Sequence, residues 1–191
     1  MRLALFFVFF IFAGCQRAVE PIGSALFIGD SITKNWVVAT IVPRAVNSGV
    51  AGEPSINILE RTVPQMNAMR PDFVHILAGT NDQIDTQTFR SVRQVLGLGY
   101  AARSAGASMV VIGTIPPLDA KLFPMQQANA SRFNMMLSVL ARLSGFKVAD
   151  YNTAMSLPNG DYRAELFMDG IHPNERGYVV MRAVLNDVIK H

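Results

Sequence analysis

The sequence has one cysteine, one tryptophan and three histidines among its 191 residues. A single cysteine excludes a disulfide within the chain. Charge is sparse as well, because 17 Lys and Arg stand against 14 Asp and Glu, and the basic residues are scattered along the chain. This scatter indicates neither a nucleic-acid groove nor a polybasic membrane patch. Internal repeats and low-complexity segments are also absent, so we expect one globular domain.

A long apolar run stands at the N-terminus. Arg2 precedes the eleven apolar residues "LALFFVFFIFA". A membrane-spanning helix needs about 20 such residues, so the run fits the hydrophobic region of a signal peptide. We assign residues 1–14 to that peptide and exclude them from the fold.

The run ends in "FAGC", which resembles the lipobox of bacterial lipoproteins although Phe12 replaces the usual aliphatic residue. The resemblance implies that Cys15 carries lipid and becomes the mature N-terminus, with residues 15–24 as lipidated end and tether. It also implies a bacterial cell envelope location, lipid-anchored at the periplasmic face or the outer membrane. The alternative is a secretory peptide with an incidental cysteine and a protein secreted without an anchor.

Short apolar runs alternate with longer helical patterns over residues 25–191. The runs that indicate strands are "ALFI" (25–28), "AVN" (45–47), "DFVHILA" (72–78), "SMVVIG" (108–113) and "KVAD" (147–150). Strands that alternate with helices imply right-handed crossovers. The pattern predicts an α/β domain, a three-layer α/β/α sandwich around a five-stranded parallel sheet.

Apolar residues at helical spacing predict the buried faces of the helices. We expect Pro64 to kink or restart the first long helix, and Asp85 or Thr86 to cap the second. The predicted core faces are Ile56, Leu59, Val63 and Met66; Phe89, Val92, Leu96 and Tyr100; Phe133, Met136, Leu140 and Leu143; and Tyr178, Met181, Leu185 and Val188.

Polar residues follow several of the predicted strands, where ligand sites of parallel sheets lie. Gly29-Asp30-Ser31 follows the first strand, "NSGVAGEPS" the second and "GTND" the third, while "DGIHPN" stands near the C-terminus. Each block alone is compatible with a plain turn or a helix cap. We interpret Asp30 and Asp82 as structural caps.

The small number of histidines allows each to be tested as a general base. His191 is the last residue, and His75 lies inside the third strand, about 20 Å from the strand's end, where we expect a hydrogen-bonded core histidine. His172 remains, and Asp169 three positions earlier could orient its ring. A serine nucleophile needs such a base, and Ser31 follows the first strand. Donors for an oxyanion would come from the Ser31 and Gly52 N–H groups and the Asn81 amide.

Together these blocks resemble the SGNH/GDSL family of serine hydrolases, whose four sequence blocks carry Ser, Gly, Asn and His. Here they read "GDSIT", "NSGVAGEPS", "GTND" and "DGIHP" in family order, with Ile32 where the name-giving motif has leucine. The resemblance implies that Ser31, Asp169 and His172 form a catalytic triad and that Ser31, Gly52 and Asn81 form an oxyanion hole, although Gly49 lies in the same loop. It further implies a flavodoxin-like fold. A G-x-S-x-G elbow is absent, which argues against an ordinary α/β-hydrolase.

The sequence therefore predicts a serine esterase that needs no metal or cofactor. The expected substrate is a small-molecule or carbohydrate ester with a short acyl group, such as a sugar O-acetyl. The alternatives are a lysophospholipase or thioesterase that acts on longer acyl chains, or an inactive, surface-anchored binding lipoprotein. Trp36, Leu118, Leu122 and Phe123 are candidate substrate contacts, and core packing is the alternative role for each. The membrane is a partner only through the lipid anchor, and the oligomeric state is left open.

Overall fold

The computed structural model describes residues 23–84 and 87–190. The predicted signal peptide, Cys15 and most of the tether therefore lie outside the described residues, as do Asp85, Thr86 and His191. Among the described residues, no helix combines the length and the apolar character needed to cross a membrane.

Five parallel strands form the central sheet. They are β1 (Ala25–Gly29), β2 (Val46–Gly49), β3 (Phe73–Leu77), β4 (Met109–Gly113) and β5 (Lys147–Ala149), in the spatial order β2-β1-β3-β4-β5. Each overlaps a strand that the apolar runs predict. β1 and β3 lie inside the sheet and are buried along their whole length, which explains their continuous apolar character.

Helices cover both faces of this sheet. They are α1 (Ser31–Lys34), α2 (Ser55–Met69), α3 (Thr88–Ser104), α4 (Pro124–Leu143), α5 (Tyr151–Ala154) and α6 (Glu175–Lys190). One core joins the sheet to α2, α3 and α4, with Ile58, Val95 and Phe133 at its centre. A second core joins the other face to α5 and α6, and it contains Tyr151 and Met181. The predicted three-layer α/β/α sandwich is confirmed.

The predicted helix details need three corrections. α2 continues through Pro64 without a restart. Proline has no N–H to donate to the carbonyl of Glu60, but both residues are exposed, so this carbonyl can bind water instead. α3 begins at Thr88 with Gln87 as its N-cap residue, later than predicted. Phe89, Tyr100 and Leu143 were predicted to be core residues and are instead exposed. In α3, Gly99 occupies the core position, because a larger side chain there would meet the ring of Phe146.

His75 is a buried core histidine, as expected. Its Nε2 lies 2.8 Å from the Tyr151 hydroxyl, and its ring packs between Phe27 and Trp36. Burial lowers the pKa of His75 to about 3, so the ring is neutral at physiological pH. It serves packing and one buried hydrogen bond.

Asp30 joins β1 to α1 at the carboxyl edge of the sheet. Its Oδ1 accepts the N–H of Ile32 at 3.0 Å and so caps α1, as predicted. Its Oδ2 is buried and has no hydrogen-bond partner among the described residues. Burial raises the pKa of Asp30 from 3.8 to about 6, and this effect outweighs the opposing contacts with Ile32 and Thr80. A neutral side chain of the same shape should therefore suit this position better at neutral pH.

Replacement of Asp30 by asparagine should stabilise the protein at neutral pH and have less effect in acid. Because the native pKa lies above the unfolded value of 3.8, the favourable contribution of Asp30 is complete below pH 3.8 and is lost as the pH rises through about 6. The gain of Asp30→Asn in free energy of unfolding should therefore grow between these values, by up to about 3 kcal/mol. Urea unfolding at several pH values measures it. The control is Asp150→Asn, at the partly exposed cap of α5, and a gain independent of pH for Asp30→Asn would contradict the argument.

Candidate active site

Ser31 lies at the carboxyl edge of the sheet as the first residue of α1. Its N–H belongs to the first helical turn and has no partner within the helix. Its Oγ lies 2.9 Å from Nε2 of His172. α1 is held in place from two sides, because the Tyr178 hydroxyl donates to the carbonyl of Ile32 at 2.8 Å and the Asn47 amide donates to the carbonyl of Thr33 at the same distance.

His172 is presented by a tight turn that begins at Asp169. Gly170 in this turn has a φ of +84°, a conformation that strongly favours glycine. Oδ1 of Asp169 accepts the N–H groups of Ile171 at 3.0 Å and His172 at 2.8 Å, and Oδ2 lies 2.7 Å from Nδ1 of His172. With the proton on Nδ1, Nε2 is free to accept a hydrogen bond from Ser31.

The carboxylate of Asp169 is set up to remain ionised. Partial burial tends to raise its pKa, but the hydrogen bonds from His172 and Ile171 outweigh this effect and hold the pKa of Asp169 below its ordinary value. About half of the Asp169 side chain is exposed, whereas His172 is more enclosed. The ionised carboxylate can therefore orient the imidazole ring and stabilise its protonated form.

The loop after β2 brings Gly52 and Asn81 together. Gly52 has a φ of +77°, and no atom lies within 4 Å of the place where a side chain would begin. The Asn81 amide donates one hydrogen to the carbonyl of Glu53 at 3.0 Å, which leaves its second hydrogen for another acceptor. Gly49 is packed against the backbone of α1, where a side chain would meet the N atom of Lys34. The geometry thus favours Gly52 over Gly49 as an open backbone donor.

Two residues hold this loop: Arg61, which the sequence analysis missed, and Asp82, which it interpreted as a structural cap. Arg61 of α2 pairs with Glu53 at 2.8 Å and donates to the carbonyl of Ser48 at 3.0 Å. Asp82 caps α2, because it accepts the N–H and the hydroxyl of Ser55 at 2.9 and 2.7 Å. These partners are separated along the chain, so no local pattern in the sequence could have identified them.

A small cavity of about 190 Å³ opens beside the Ser31 hydroxyl. Leu118 and Phe123 belong to its lining, which comprises Ser31, Thr80, Asn81, Ile84, Leu118, Phe123, Gln126, Ile171 and His172. The loop that carries Leu118 and Phe123 is tied to the His172 turn, because the N–H of Asp119 donates to the carbonyl of Gly170 at 2.9 Å. The wall of the cavity and the imidazole are therefore positioned together.

Two of the predicted substrate contacts lie outside this cavity. Trp36 is only 4 % exposed, and its indole packs edge-on against Phe27 and stacks with Tyr178. Leu122 is 63 % exposed and does not belong to the cavity lining. Apolar character alone could not separate these residues from Leu118 and Phe123, because the distinction depends on where each backbone segment turns.

The arrangement contains a hydroxyl, an imidazole and a carboxylate in one hydrogen-bonded line, and the Asn81 amide belongs to the lining of the same cavity, whereas Gly52 does not. No cluster of three His, Cys, Asp or Glu side chains that could hold a metal ion occurs in residues 23–84 and 87–190. Such a line can activate the hydroxyl for attack on a carbonyl carbon.

Comparison with solved structures finds the same fold in other proteins. Among solved structures, a GDSL-like lipase from Bacteroides thetaiotaomicron is 20 % identical with a TM-score of 0.77, and 87 % of each chain is covered. The lipase/acylhydrolase from Enterococcus faecalis is 22 % identical with a TM-score of 0.73, over 87 % of this chain and 95 % of that one. An acetylxylan esterase from Geobacillus stearothermophilus, solved as a catalytic mutant, is 18 % identical with a TM-score of 0.71, over 87 % and 93 %.

These structural likenesses support the fold, and the sequence supports the family. A comparison with curated protein sequences gives no match. The model of the GDSL-like lipase/acylhydrolase family matches residues 27–180, which is more than half of the chain. This protein therefore belongs to the GDSL-like lipase/acylhydrolase family, hydrolases that act on esters.

Proposed function

We propose that the protein is a serine esterase whose nucleophile is Ser31. The observation that carries the proposal is the continuous line from the Ser31 hydroxyl through His172 to Asp169, with heavy-atom distances of 2.9 and 2.7 Å. The first distance allows Ser31 to transfer its proton to His172, and the second allows Asp169 to stabilise the imidazolium that results.

The reaction follows from this line. His172 takes the proton of Ser31 as Oγ attacks the ester carbonyl, and it then donates this proton to the departing alcohol as the carbon–oxygen bond breaks. Water attacks the resulting acyl-enzyme, His172 takes the water's proton, and the Ser31 hydroxyl is restored when the acid leaves. The Ser31 and Gly52 N–H groups and the second hydrogen of the Asn81 amide would stabilise each tetrahedral oxyanion.

An inactive binding protein is the competing function. A binding protein would not need hydrogen bonds that join a hydroxyl, an imidazole and a carboxylate. Here Ser31, His172 and Asp169 are joined in this way. Covalent labelling distinguishes the two functions, because a fluorophosphonate reacts only with an activated serine.

Replacement of Ser31 by alanine should abolish both ester hydrolysis and fluorophosphonate labelling. Loss of the nucleophile typically lowers kcat by about 10⁴-fold or more. Hydrolysis of p-nitrophenyl acetate and gel fluorescence of the labelled protein measure the two effects. The matched control is Ser131→Ala, at an exposed position of α4, which should keep both. Labelling that persists in Ser31→Ala would show that another serine reacts.

We further propose that the substrate carries a short acyl group, for example an O-acetyl group on a carbohydrate. The cavity beside Ser31, at about 190 Å³, is smaller than the roughly 300–1,000 Å³ of pockets for drug-sized ligands. A long acyl chain would extend past Phe123 into solvent, and its outer methylenes would gain well under the roughly 0.8 kcal/mol of full burial. The similarity to an acetylxylan esterase is compatible with this substrate class.

A lysophospholipase or thioesterase remains the second candidate because of the apolar rim of the cavity. Ile84 belongs to the cavity lining and is exposed, and the exposed Leu122 and Met125 are next in sequence to the lining residues Phe123 and Gln126. Such a rim could support the outer part of a longer chain, so the dependence of activity on acyl length decides between the candidates.

Activity should fall as the acyl chain lengthens, and Phe123 should set the limit. We expect a higher kcat/KM for acetyl and butyryl p-nitrophenyl esters than for decanoyl or longer esters. Phe123→Ala, which enlarges the cavity, should raise the ratio of decanoyl to acetyl kcat/KM, whereas the control Leu122→Ala should leave it unchanged. A steady rise of kcat/KM from acetyl to dodecanoyl that Leu122→Ser abolishes would favour the second candidate.

We also propose that Cys15 anchors the protein to the bacterial cell envelope. The resemblance of "FAGC" to a lipobox and the lack of a disulfide partner support this proposal. Each buried methylene of an acyl chain contributes about 0.8 kcal/mol, so two or more chains give a stable anchor.

Wild-type protein expressed in a bacterium should therefore partition into the detergent phase of a Triton X-114 extract, and Cys15→Ser should remain in the aqueous phase. Mass spectrometry of the N-terminal peptide checks that lipid is the cause. Ser24→Ala, in the tether, is the control and should partition like the wild type. Equal partitioning of wild type and Cys15→Ser would exclude the anchor.

A further inference from the structure

Charge is segregated between the two ends of the domain. Six basic residues lie at the amino ends of the strands, on a surface that we call the basal face: Arg44, Arg70, Arg103, Arg142, Lys147 and Lys190. The acidic residues described at this face are Asp72 and Asp187. At the opposite end, acidic residues outnumber basic ones around the loops that follow the strands, although Glu53 and Glu165 pair there with Arg61 and Arg163.

The topology produces this segregation from bases that are scattered along the sequence. All strands run in one direction, so each of the long helices returns and ends at the basal face. Arg103, Arg142 and Lys190 stand in the last turns of α3, α4 and α6, and Arg70 is the C-cap of α2. Basic residues suit helix C-termini, whose partial charge is about half of one negative charge each.

The helix ends account for the position of the bases but do not cancel their charge. Arg103 donates to the carbonyls of Ser144 and Gly145, and Lys147 donates to the carbonyl of Val188, so both keep a formal positive charge. None of the six bases forms an ion pair with another residue of the described part of the chain. The basal face therefore remains electropositive.

The tether joins the domain at this same face. The N–H and the hydroxyl of Ser24 both donate to Oδ2 of Asp72, at 2.8 and 3.0 Å, and fix the point at which the preceding chain leaves. One of the two acidic groups of the basal face is engaged in this contact. Residues 16–24 could span about 30 Å when extended, so the basal face stays within that distance of Cys15.

We propose that the basal face is a docking surface for an anionic phospholipid bilayer. The charge of the face is complementary to anionic headgroups, and each base near such a surface adds to binding. The inference also rests on the proposed lipid anchor, because the chain that leaves this face leads to Cys15. Leu143 is 80 % exposed beside Arg142 and supplies an apolar contact that soluble polyanions would not need. Docking in this way turns Ser31, at the other edge of the sheet, away from the bilayer.

Flotation with vesicles tests the docking surface without the lipid anchor. The protein used begins at Gln16 and keeps every residue of both cores, which are built from residues between Ala25 and Ile189. Binding to vesicles of equal parts phosphatidylglycerol and phosphatidylcholine should be at least about tenfold tighter than to phosphatidylcholine alone, and salt should weaken it.

Matched variants distinguish the face from the overall charge. The combined variant Arg70→Gln, Arg142→Gln and Lys190→Gln should weaken binding by about tenfold or more. The control Arg93→Gln, Arg132→Gln and Arg176→Gln removes the same charge elsewhere and should have much less effect. Both should hydrolyse a soluble ester like the wild type, because these residues lie outside the site. Equal weakening by both variants, or no preference for anionic vesicles, would overturn the proposal.

A soluble polyanion and the full-length protein complete the test. Leu143→Ser should weaken binding to anionic vesicles but not to dextran sulfate, and equal effects on both would overturn the choice of a bilayer.

In full-length protein reconstituted into anionic vesicles, a dye on Leu143→Cys should be quenched by headgroup-labelled lipid. A dye on Phe89→Cys, at the start of α3, should not be quenched. The parent protein gives the background from Cys15. Equal quenching at both positions would also overturn the proposal.

Discussion

The common direction of the five strands is the constraint on which the rest of the structure depends. Every strand delivers its carboxyl end to one edge of the sheet, and every long helix carries the chain back to the other edge. The first edge thereby collects the loops that hold Ser31, Gly52, Asn81 and His172. The second collects the helix C-termini and the bases that accompany them. The position of the candidate active site and that of the basal face therefore both follow from the common strand direction.

The proposed site depends on contacts between loops as much as on its own residues. The loop after β2, which carries Gly52, is tied to α2 by Arg61. Asp82, in the segment after β3, binds Ser55 at the end of this loop. The His172 turn is tied to the cavity wall through the contact of Asp119 with Gly170. Because these ties join different elements of the fold, tertiary packing sets the positions of the donors and of the imidazole. Preorganisation of this kind is what stabilises a developing oxyanion.

The two proposals on function and location are physically consistent. A small cavity that opens to solvent suits a short acyl group on a large alcohol, since the alcohol can remain outside while the ester enters. Docking by the basal face would direct the cavity away from the bilayer to which we propose that Cys15 is anchored. A substrate that approaches from the aqueous side, such as an acylated carbohydrate, would then meet the site directly, whereas a lipid of the same bilayer would not.

The sequence by itself determined the features that depend on neighbouring residues. The apolar runs predicted all five strands, most directly β1 and β3, which are buried along their whole length. Asp30 and the Asp169–His172 pair were identified because their contacts span three residues or fewer. Tertiary structure decided the rest. It placed Leu118 and Phe123 in the cavity but Trp36 and Leu122 outside it, and it exposed Phe89 and Leu143, because helix rotation and loop direction depend on distant packing partners. It also gathered bases that are scattered in the sequence onto one face, since only the fold fixes which helix ends lie side by side.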